Sequence, residues 1–424
     1  MRSFFKVFQS RKMAALLMLG FASGLPLYLT DKTLQAWLTV EGVDLKSIGL
    51  FSLVALPYSL KFLWSPFLDR FIPPFLGRRR GWLVIAQVLL VLAIAAMSFQ
   101  NPQQGLRAIA INAIIIAFFS ATQDIAADAY RTDILDKPEL GAGAAVFVLG
   151  YRVALLLTGA LALRLADQMP WNSVYLILAG IMSISVLYSI FAPEPILREP
   201  PPTTFQEIFI DPFREFFQRS GLLRGAMILL FIVLYKLGDV LVSKMSTTFL
   251  LKTGFSQTTI GDIQGGMGLI ATIVGTLVGG ALLSRWGINR SLWVFGGLQA
   301  ISNLSYYILA QLGQNYPVLV LAVNIENFCG GLGTAAFLGF LMSLCNQRFS
   351  ATQFALLSSL LAVSRDILGA SAGQIAQATG AETTGWSPFF LISILAAIPG
   401  LLLLPIFAPW NDPPAPLPRP GIDG

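Results

Sequence analysis

Twelve stretches of roughly 18 to 26 mostly apolar residues occupy nearly all of this 424-residue chain, each about the length a helix needs to cross a ~30 Å hydrocarbon layer. Backbone amides in lipid must pair internally, so runs of this length can only be helices, and each polar residue set inside them needs a physical reason to be there. The composition agrees. Apolar residues make up 55% of the chain and charged residues 12%, with a mean hydropathy of +0.71, against about a quarter charged in an ordinary soluble domain. The longest polar interval, residues 193–221, is too short to bury a core of its own. The basic start, MRSFFKVFQSRK, is read as the flank of a retained first helix rather than a signal peptide, because the apolar stretch behind it is long and no small-residue cleavage site follows.

Histidine is absent from the sequence, which removes the usual general base, the commonest metal ligand and every Ser-His or Cys-His nucleophile. No metal site, no cofactor and no enzyme active site is expected, and any proton handled within the membrane has to ride on a carboxylate. The two cysteines, Cys329 and Cys345, fall ~24 Å apart along one predicted helix, too far for a disulfide. They are read as small packing residues.

The apolar segments, numbered 1 to 12 in chain order, are predicted at about residues 13–37, 48–68, 82–99, 108–130, 142–166, 174–191, 226–251, 260–283, 292–312, 318–344, 354–378 and 388–407. With the N-terminus inside, eighteen of the 28 Lys and Arg fall on cytoplasmic loops and termini, five near outer ends and five within segments. That bias places both termini in the cytoplasm. The net charge of +6 then sits against anionic inner-leaflet lipid, with no need of nucleic acid.

Four regions follow: an N-terminal six-helix bundle over 1–193, a cytoplasmic linker over 194–221, a C-terminal six-helix bundle over 222–409 and a proline-rich cytoplasmic tail over 410–424. The halves resemble each other. LTVEGVDLKSIG (38–49) lies over LLKTGFSQTTIG (250–261) at an offset of 212 with four identities in twelve, and an offset of 213 places Arg152 over Arg365. The fold class expected is an all-α integral membrane protein of twelve transmembrane helices in two pseudo-symmetric six-helix bundles, similar to the layout of the major facilitator transporters.

The loop after segment 2, SPFLDRFIPPFLGRRRGW, carries Asp69-Arg70 followed by Gly77-Arg78-Arg79-Arg80. This resembles the loop motif of that superfamily, although six residues separate its two parts where one is usual and Ser65 stands where Gly is usual. The resemblance implies a cytoplasmic latch of charge pairs and helix-end dipoles, with Asp69, Arg70, Arg78, Arg79 and Arg80 as gating residues; positive-inside topology alone is the plain alternative. The corresponding loop after segment 8, LLSRWGINRSLW, keeps Arg285 and Arg290 without the acid.

A closer likeness rests on GFASGLPLYLTDKTLQAWLTVEGVDLKSIGLFSLV, ATQDIAADAYRTDIL, GAGAAVFVLGYR, VLYKLGD, ENFCGGLGTAAFLGFLMSLCN and FSATQFALLSS, in chain order from about Gly20 to Phe407. Together they resemble the AmpG-type muropeptide permeases. The resemblance implies proton-driven import of N-acetylglucosaminyl-anhydro-N-acetylmuramyl peptides from periplasm to cytoplasm, across the inner membrane of a Gram-negative bacterium. It further implies a multi-pass protein whose partners are a sugar-peptide, protons and membrane lipid, acting as a monomer with the proton gradient in place of a cofactor. Better-known members carry further helices after the twelfth, where this sequence runs into PWNDPPAPLPRPGIDG.

Six carboxylates fall inside segments beyond the first turn: Asp31, Asp124, Asp128, Asp239, Glu326 and Asp366. Each costs at least ~2.5 kcal/mol at the bilayer centre unless it is paired, hydrated or neutral. Five lie on segments 1, 4, 7 and 10, which line the central path in the resembled fold. Asp124 and Asp128, four apart and next to Gln123, a substrate-binding candidate, stack on one helix face. Two close acids in a low dielectric do not both ionise cheaply, which suits proton coupling; alternatively Arg131, Arg70 or Arg152 neutralises them as part of the gate. Segment 7 sets Lys236, Asp239, Ser243, Lys244 and Thr247 along one side, so Lys236 and Lys244 suit substrate carboxylates and Asp239 joins them as a substrate-binding candidate, unless Lys236 and Asp239 merely satisfy each other.

Segment 10 aligns Asn324, Asn327, Gly331 and Thr334, suited to sugar hydroxyls and acetamides. Glu326 points ~160° away from Asn324 and either meets a neighbouring helix or sits where its own helix unwinds; it is the third proton-coupling candidate. Arg152 and Arg365 lie at equal depth, the first assigned to substrate and the second, with Asp366 and Arg131, to gating. Lys61 is left out of the site because its own length covers most of the ~10 Å to the inner end of its segment. Near the outer end of segment 1, beside Asp31 and Lys32, Gln35 is a substrate candidate, and Trp37 is either a sugar-stacking ring or an interfacial anchor. Gly275, Gly279 and Gly280 are expected to permit close helix packing. Two rivals stand beside muropeptide import: a carrier of acetyl-coenzyme A or another anionic metabolite, which would share the pattern around Thr122-Gln123-Asp124, and a membrane acyltransferase, for which the nucleophile and base are missing.

Overall fold

The computed structural model describes residues 10–30, 32–43, 51–103, 105–196, 204–363, 368, 371–381 and 385–410, and among them all regular structure is helical. Nine helices among the described residues are long and apolar enough to cross a membrane. Segments 3, 4, 6, 10 and 12 are single helices, Arg78–Met97, Leu106–Ile134, Trp171–Phe191, Tyr316–Ser343 and Ser387–Phe407. Segment 1 comprises Arg11–Thr30 and Lys32–Val40, and segment 5 passes from Leu140–Leu156 through a π-helical turn, Leu157–Leu161. Segments 8 and 9 share the helix Leu269–Leu312, bent at Gly287, whose φ of 79° is open to glycine at little cost.

Segments 2 and 7 are broken within the described residues. Segment 2 is a chain of short turns, Phe51–Ala55, Leu56–Leu60, Lys61–Leu63 and Ser65–Arg70; Pro57 and Pro66 lack an N–H and crowd the preceding turn, so the helix restarts at each. Segment 7 breaks between Leu222–Leu234 and Leu237–Lys252, with Lys236 at φ −99°, ψ 2°. Segment 11 is described over Ser350–Val363 and Ala372–Ala378; Arg365 and Asp366 lie outside the described residues, as does Asp31.

The chain resolves into two compact units. Unit 1 comprises Met1–Asp136, Val146–Pro212 and Cys345–Leu356; unit 2 comprises Lys137–Ala145, Phe213–Leu344 and Leu357–Gly424. Within unit 1, Trp37 is buried against Trp171, centroids 6.3 Å apart, and Tyr175, 5.1 Å. Trp37 is therefore a core residue, correcting both the sugar-stacking and the interfacial reading. Glycines bring helices together in each unit. Gly24 admits the Tyr151 carbonyl 2.5 Å from where a Cβ would stand, and Gly150 meets the Leu17 backbone; in unit 2, Gly275 meets the Phe328 backbone and Gly279 faces Leu332, so the segment 8 glycines pack as expected.

Helix exits are satisfied by side chains in both units. In unit 1, Arg80 Nη1 donates to the Ile190 and Ala192 carbonyls at 3.1 and 2.9 Å, and the Tyr130 hydroxyl to that of Pro193 at 2.6 Å. In unit 2, Arg224, Trp293 and Asn289 donate to the carbonyls of Phe407, Ala408 and Pro409.

Candidate functional site

The loop between segments 2 and 3 cannot continue the helix through Pro73 and Pro74, and it turns back through Leu76 and Gly77, both at positive φ. The turn delivers three arginines to the first turn of Arg78–Met97, where a carboxylate is needed to offset the helix dipole. Glu194 supplies it, accepting from the backbone N–H groups of Arg79 and Arg80 at 2.9 and 3.0 Å. Asp69, 1% exposed, accepts from Arg78 and Arg79 at 3.0 Å each. Its carboxylate also caps Ser350–Val363, taking the N–H of Ala351 at 3.3 Å and both the N–H and hydroxyl of Thr352 at 2.8 and 2.7 Å. Arg79 completes the network with Asp133 and Ser350, both at 2.6 Å. Arg70 stands apart, exposed with its guanidinium over the ring of Phe71.

A second unit 1 cluster lies higher on Leu106–Ile134. Asp128 accepts from Arg131 Nη2 at 2.9 Å and, at a looser 3.4 Å, from Lys61 Nζ. Arg131 is held between the rings of Phe147 and Phe354. Asp124, one turn away, has a buried Oδ1 with no hydrogen-bond partner; Ser23 and the charge of Lys61 face its carboxyl. Gln123 is fully buried beside Ser23. Arg152 pairs with no acid among the described residues, and its Nε is buried without a partner. Lys61 was missed because reach to the interface was weighed and depth was not: segments 2 and 4 run the same way through the bilayer, and Lys61 lies level with the two acids. With only 12% of its side chain exposed, it does not snorkel.

In unit 2 the break in segment 7 turns Lys236 into the protein. Its ammonium donates to Gln299 Oε1 at 3.0 Å, Asp239 Oδ2 at 3.4 Å and the Gly330 carbonyl at 3.5 Å. Gln299, on segment 9, was not anticipated; its signal is a buried amide in an apolar helix, a feature it shares with Asn303 one turn on. Helix Tyr316–Ser343 runs unbroken through Glu326, so the unwound alternative is set aside. Glu326 accepts from Asn327 at 3.0 Å and faces Asp239 and Lys236. Asn327 also takes the Thr272 hydroxyl, Asn324 donates to its own helix at Val320, and Gly331 packs on the backbone of Thr272. Much of that polar face is thus occupied by helix packing. Ser243, Lys244 and Thr247 are exposed, as is Gln35 of unit 1.

Long apolar helices that bury ion pairs define a multi-pass membrane protein, and the likeness to known proteins makes it a transporter. The pattern of the Major Facilitator Superfamily matches residues 13–365. The anhydromuropeptide permease of Escherichia coli (strain K12) is 50% identical over 403 residues, covering 95% of this chain and 80% of that one. The human organic anion transporter MFSD10 (TETRAN) superposes with a TM-score of 0.66 over 93% of this chain and 98% of its own, at 15% identity. A bacterial homologue of the iron transporter ferroportin, in an outward-facing state with soaked iron, gives 0.65 over 93% and 97%, also at 15%; likeness at that identity shows the fold alone. The chain belongs to the Major Facilitator Superfamily and, within it, to the family of the anhydromuropeptide permease.

Proposed function

We propose that the chain is a proton-coupled carrier importing anhydromuropeptides from periplasm to cytoplasm, with both termini in the cytoplasm of a Gram-negative cell. The substrate class is supported by the 50% identity to the E. coli permease. The observation that carries the coupling is Asp124, a carboxylate whose buried oxygen has no partner while its neighbour Asp128 is held by two cations. A carboxylate in oil with an unfilled acceptor is a place where a proton lowers the free energy.

Import proceeds by alternating access within a monomer, powered by the gradient alone. A proton and the sugar-peptide bind from the outer side; Asp124, with Asp128 beside it, is the main proton-handling acid, and Glu326 has a lesser part. Arg152, free of acids among the described residues, and the exposed Lys244 take substrate carboxylates, whereas Lys236 is committed to Asp239 and Gln299. Gln35 and Asn324 serve sugar groups, Gln123 supports segment 4 from within, and Asn327 positions Glu326. On the cytoplasmic side Asp69, Arg78 and Arg79 hold the first turn of Ser350–Val363, Arg80 anchors the exit of segment 6, and this latch opens when the carrier releases inward; Arg70, Arg131, Arg365 and Asp366 border it. The linker over 194–221 joins two six-helix bundles and the tail over 410–424 stays cytoplasmic.

The test is uptake of labelled anhydromuropeptide into vesicles containing the purified protein. Accumulation that requires an acid exterior and is not displaced by acetyl-coenzyme A is expected. Accumulation unaffected by collapse of the gradient removes the coupling, and uptake of acetyl-coenzyme A in its place reassigns the substrate.

A further inference from the structure

We infer that Lys61 is the exchangeable counter-cation of Asp124 and Asp128, a positioning residue that passes between the two carboxylates as a proton comes and goes; this rests on the proton-coupled reading above. Three observations converge. Asp128 has one firm partner, Arg131 at 2.9 Å from its own helix, and one loose partner, Lys61 at 3.4 Å. Arg131 is fixed by stacking on Phe147 and Phe354, so it cannot move to Asp124. Lys61 stands on the least regular stretch of any membrane segment described, a 3₁₀ turn Lys61–Leu63 between Leu60 at φ −96°, ψ 3° and Trp64 at φ −114°, ψ −3°. Short 3₁₀ stretches within a helix mark hinges. Trp64, tied through its indole N–H to the Thr122 hydroxyl at 3.1 Å, keeps the turn beside segment 4 while the Lys61 side chain retains its reach.

Other groups facing the pair leave this exchange to Lys61. Ser23 of segment 1 and Tyr58 of segment 2 approach Asp124, Tyr151 of segment 5 faces Tyr58, and Cys345 faces Arg131. None of these is a cation. With Asp124 ionised, the ammonium is shared by two carboxylates. When Asp124 takes a proton, the ammonium closes on Asp128, and the four groups Lys61, Arg131, Asp124 and Asp128 pass from balanced charge to one net positive. That change biases the carrier to reorient, and loss of the proton restores the shared state.

The experiment compares the pH dependence of initial anhydromuropeptide uptake into vesicles for the full-length chain and its variants. In Lys61→Met the midpoint moves up by about one pH unit or more, because Asp124 loses its nearest cation, and gradient-driven accumulation falls by about tenfold. Lys61→Arg restores most of the accumulation. A midpoint and accumulation equal to the unsubstituted chain in Lys61→Met overturn the inference. Should Lys61→Met fail to insert, Asp128→Asn is compared with Asp128→Asn/Lys61→Met, in which both members of the loose pair are removed together. The double variant has the higher midpoint by about one unit if Lys61 serves Asp124, and coincident midpoints sink the proposal. Uptake by the unsubstituted chain that ignores pH defeats the coupling itself, a different failure from a pH-dependent chain indifferent to Lys61.

Discussion

Trp37 packs on Trp171 and Tyr175 in unit 1; Phe249, 212 positions further along, packs on Trp386 at 5.6 Å and Phe390 at 4.9 Å in unit 2. The two units thus hold aromatic clusters at matching spacing, each aromatic standing 212 to 215 residues from its counterpart. The buried charges do not match. Unit 1 places two acids one turn apart on a single helix with cations from segments 2 and 4, while unit 2 gathers Lys236 and Asp239 from one helix with an amide from segment 9. The loop after segment 2 holds Asp69 in a dry network, and its counterpart after segment 8 leaves Arg290 exposed, with the Trp410 carbonyl at 3.5 Å. Packing constrains both copies alike, whereas charges in lipid are costly enough to persist only where they act. The divergence therefore points to the working parts.

The largest contrast lies in those two loops. Arg79→Ala leaves Asp69 and Asp133 buried without their shared cation and costs about 3–5 kcal/mol; Arg290→Ala, at an exposed position, costs less than about 1 kcal/mol. Thermal unfolding of the purified protein in detergent measures both, and equal losses would erase the distinction between the loops.

The aromatic pair should behave alike. Trp37→Ala and Phe249→Ala each remove a fully buried ring and cost about 3–5 kcal/mol. The same unfolding assay checks whether the two agree to within about 1 kcal/mol, and a wide gap would show that one copy has taken on a second role.

Function separates the acids. Asp124→Asn should lower gradient-driven accumulation at least about tenfold, a loss of ~1.4 kcal/mol or more, with substrate exchange still measurable. Glu326→Gln, whose side chain keeps its bond to Asn327, should lower accumulation by less than about threefold, or ~0.7 kcal/mol. The reverse ranking in a vesicle assay would move the coupling to unit 2.

How far the sequence discloses this arrangement depends on the kind of question asked. Segment length and hydropathy locate the helices, and the repeat at 212 is legible in the outer-end motifs because both aromatic cores depend on it. The interruptions are less legible: Pro57 and Pro66 announce the break in segment 2, but nothing in VLYKLGD announces the one at Lys236. Helical spacing places Asp124 and Asp128 on one face, and says nothing of which neighbouring helix supplies Lys61 or Gln299. Trp37 illustrates the same limit, since an indole near a helix end suits an interface until Trp171 and Tyr175, far off in sequence, close over it.

The smallest effect tests how much room the unit 2 cluster leaves. At Gly331 an added methyl meets the Thr272 carbonyl and the Thr276 N–H, backbone that cannot give way, so Gly331→Ala costs about 1–3 kcal/mol. At Gly333 the same methyl meets only the ends of Gln299 and Lys236, which swing aside, so the cost in unfolding is below about 1 kcal/mol. The displaced ammonium, however, then leaves Gln299 for Asp239 or for substrate. If Lys236 is a structural tie, Gly333→Ala leaves uptake unchanged; a lowered half-saturation concentration for anhydromuropeptide would instead release Lys236 from that role and make unit 2 a partner in recognition.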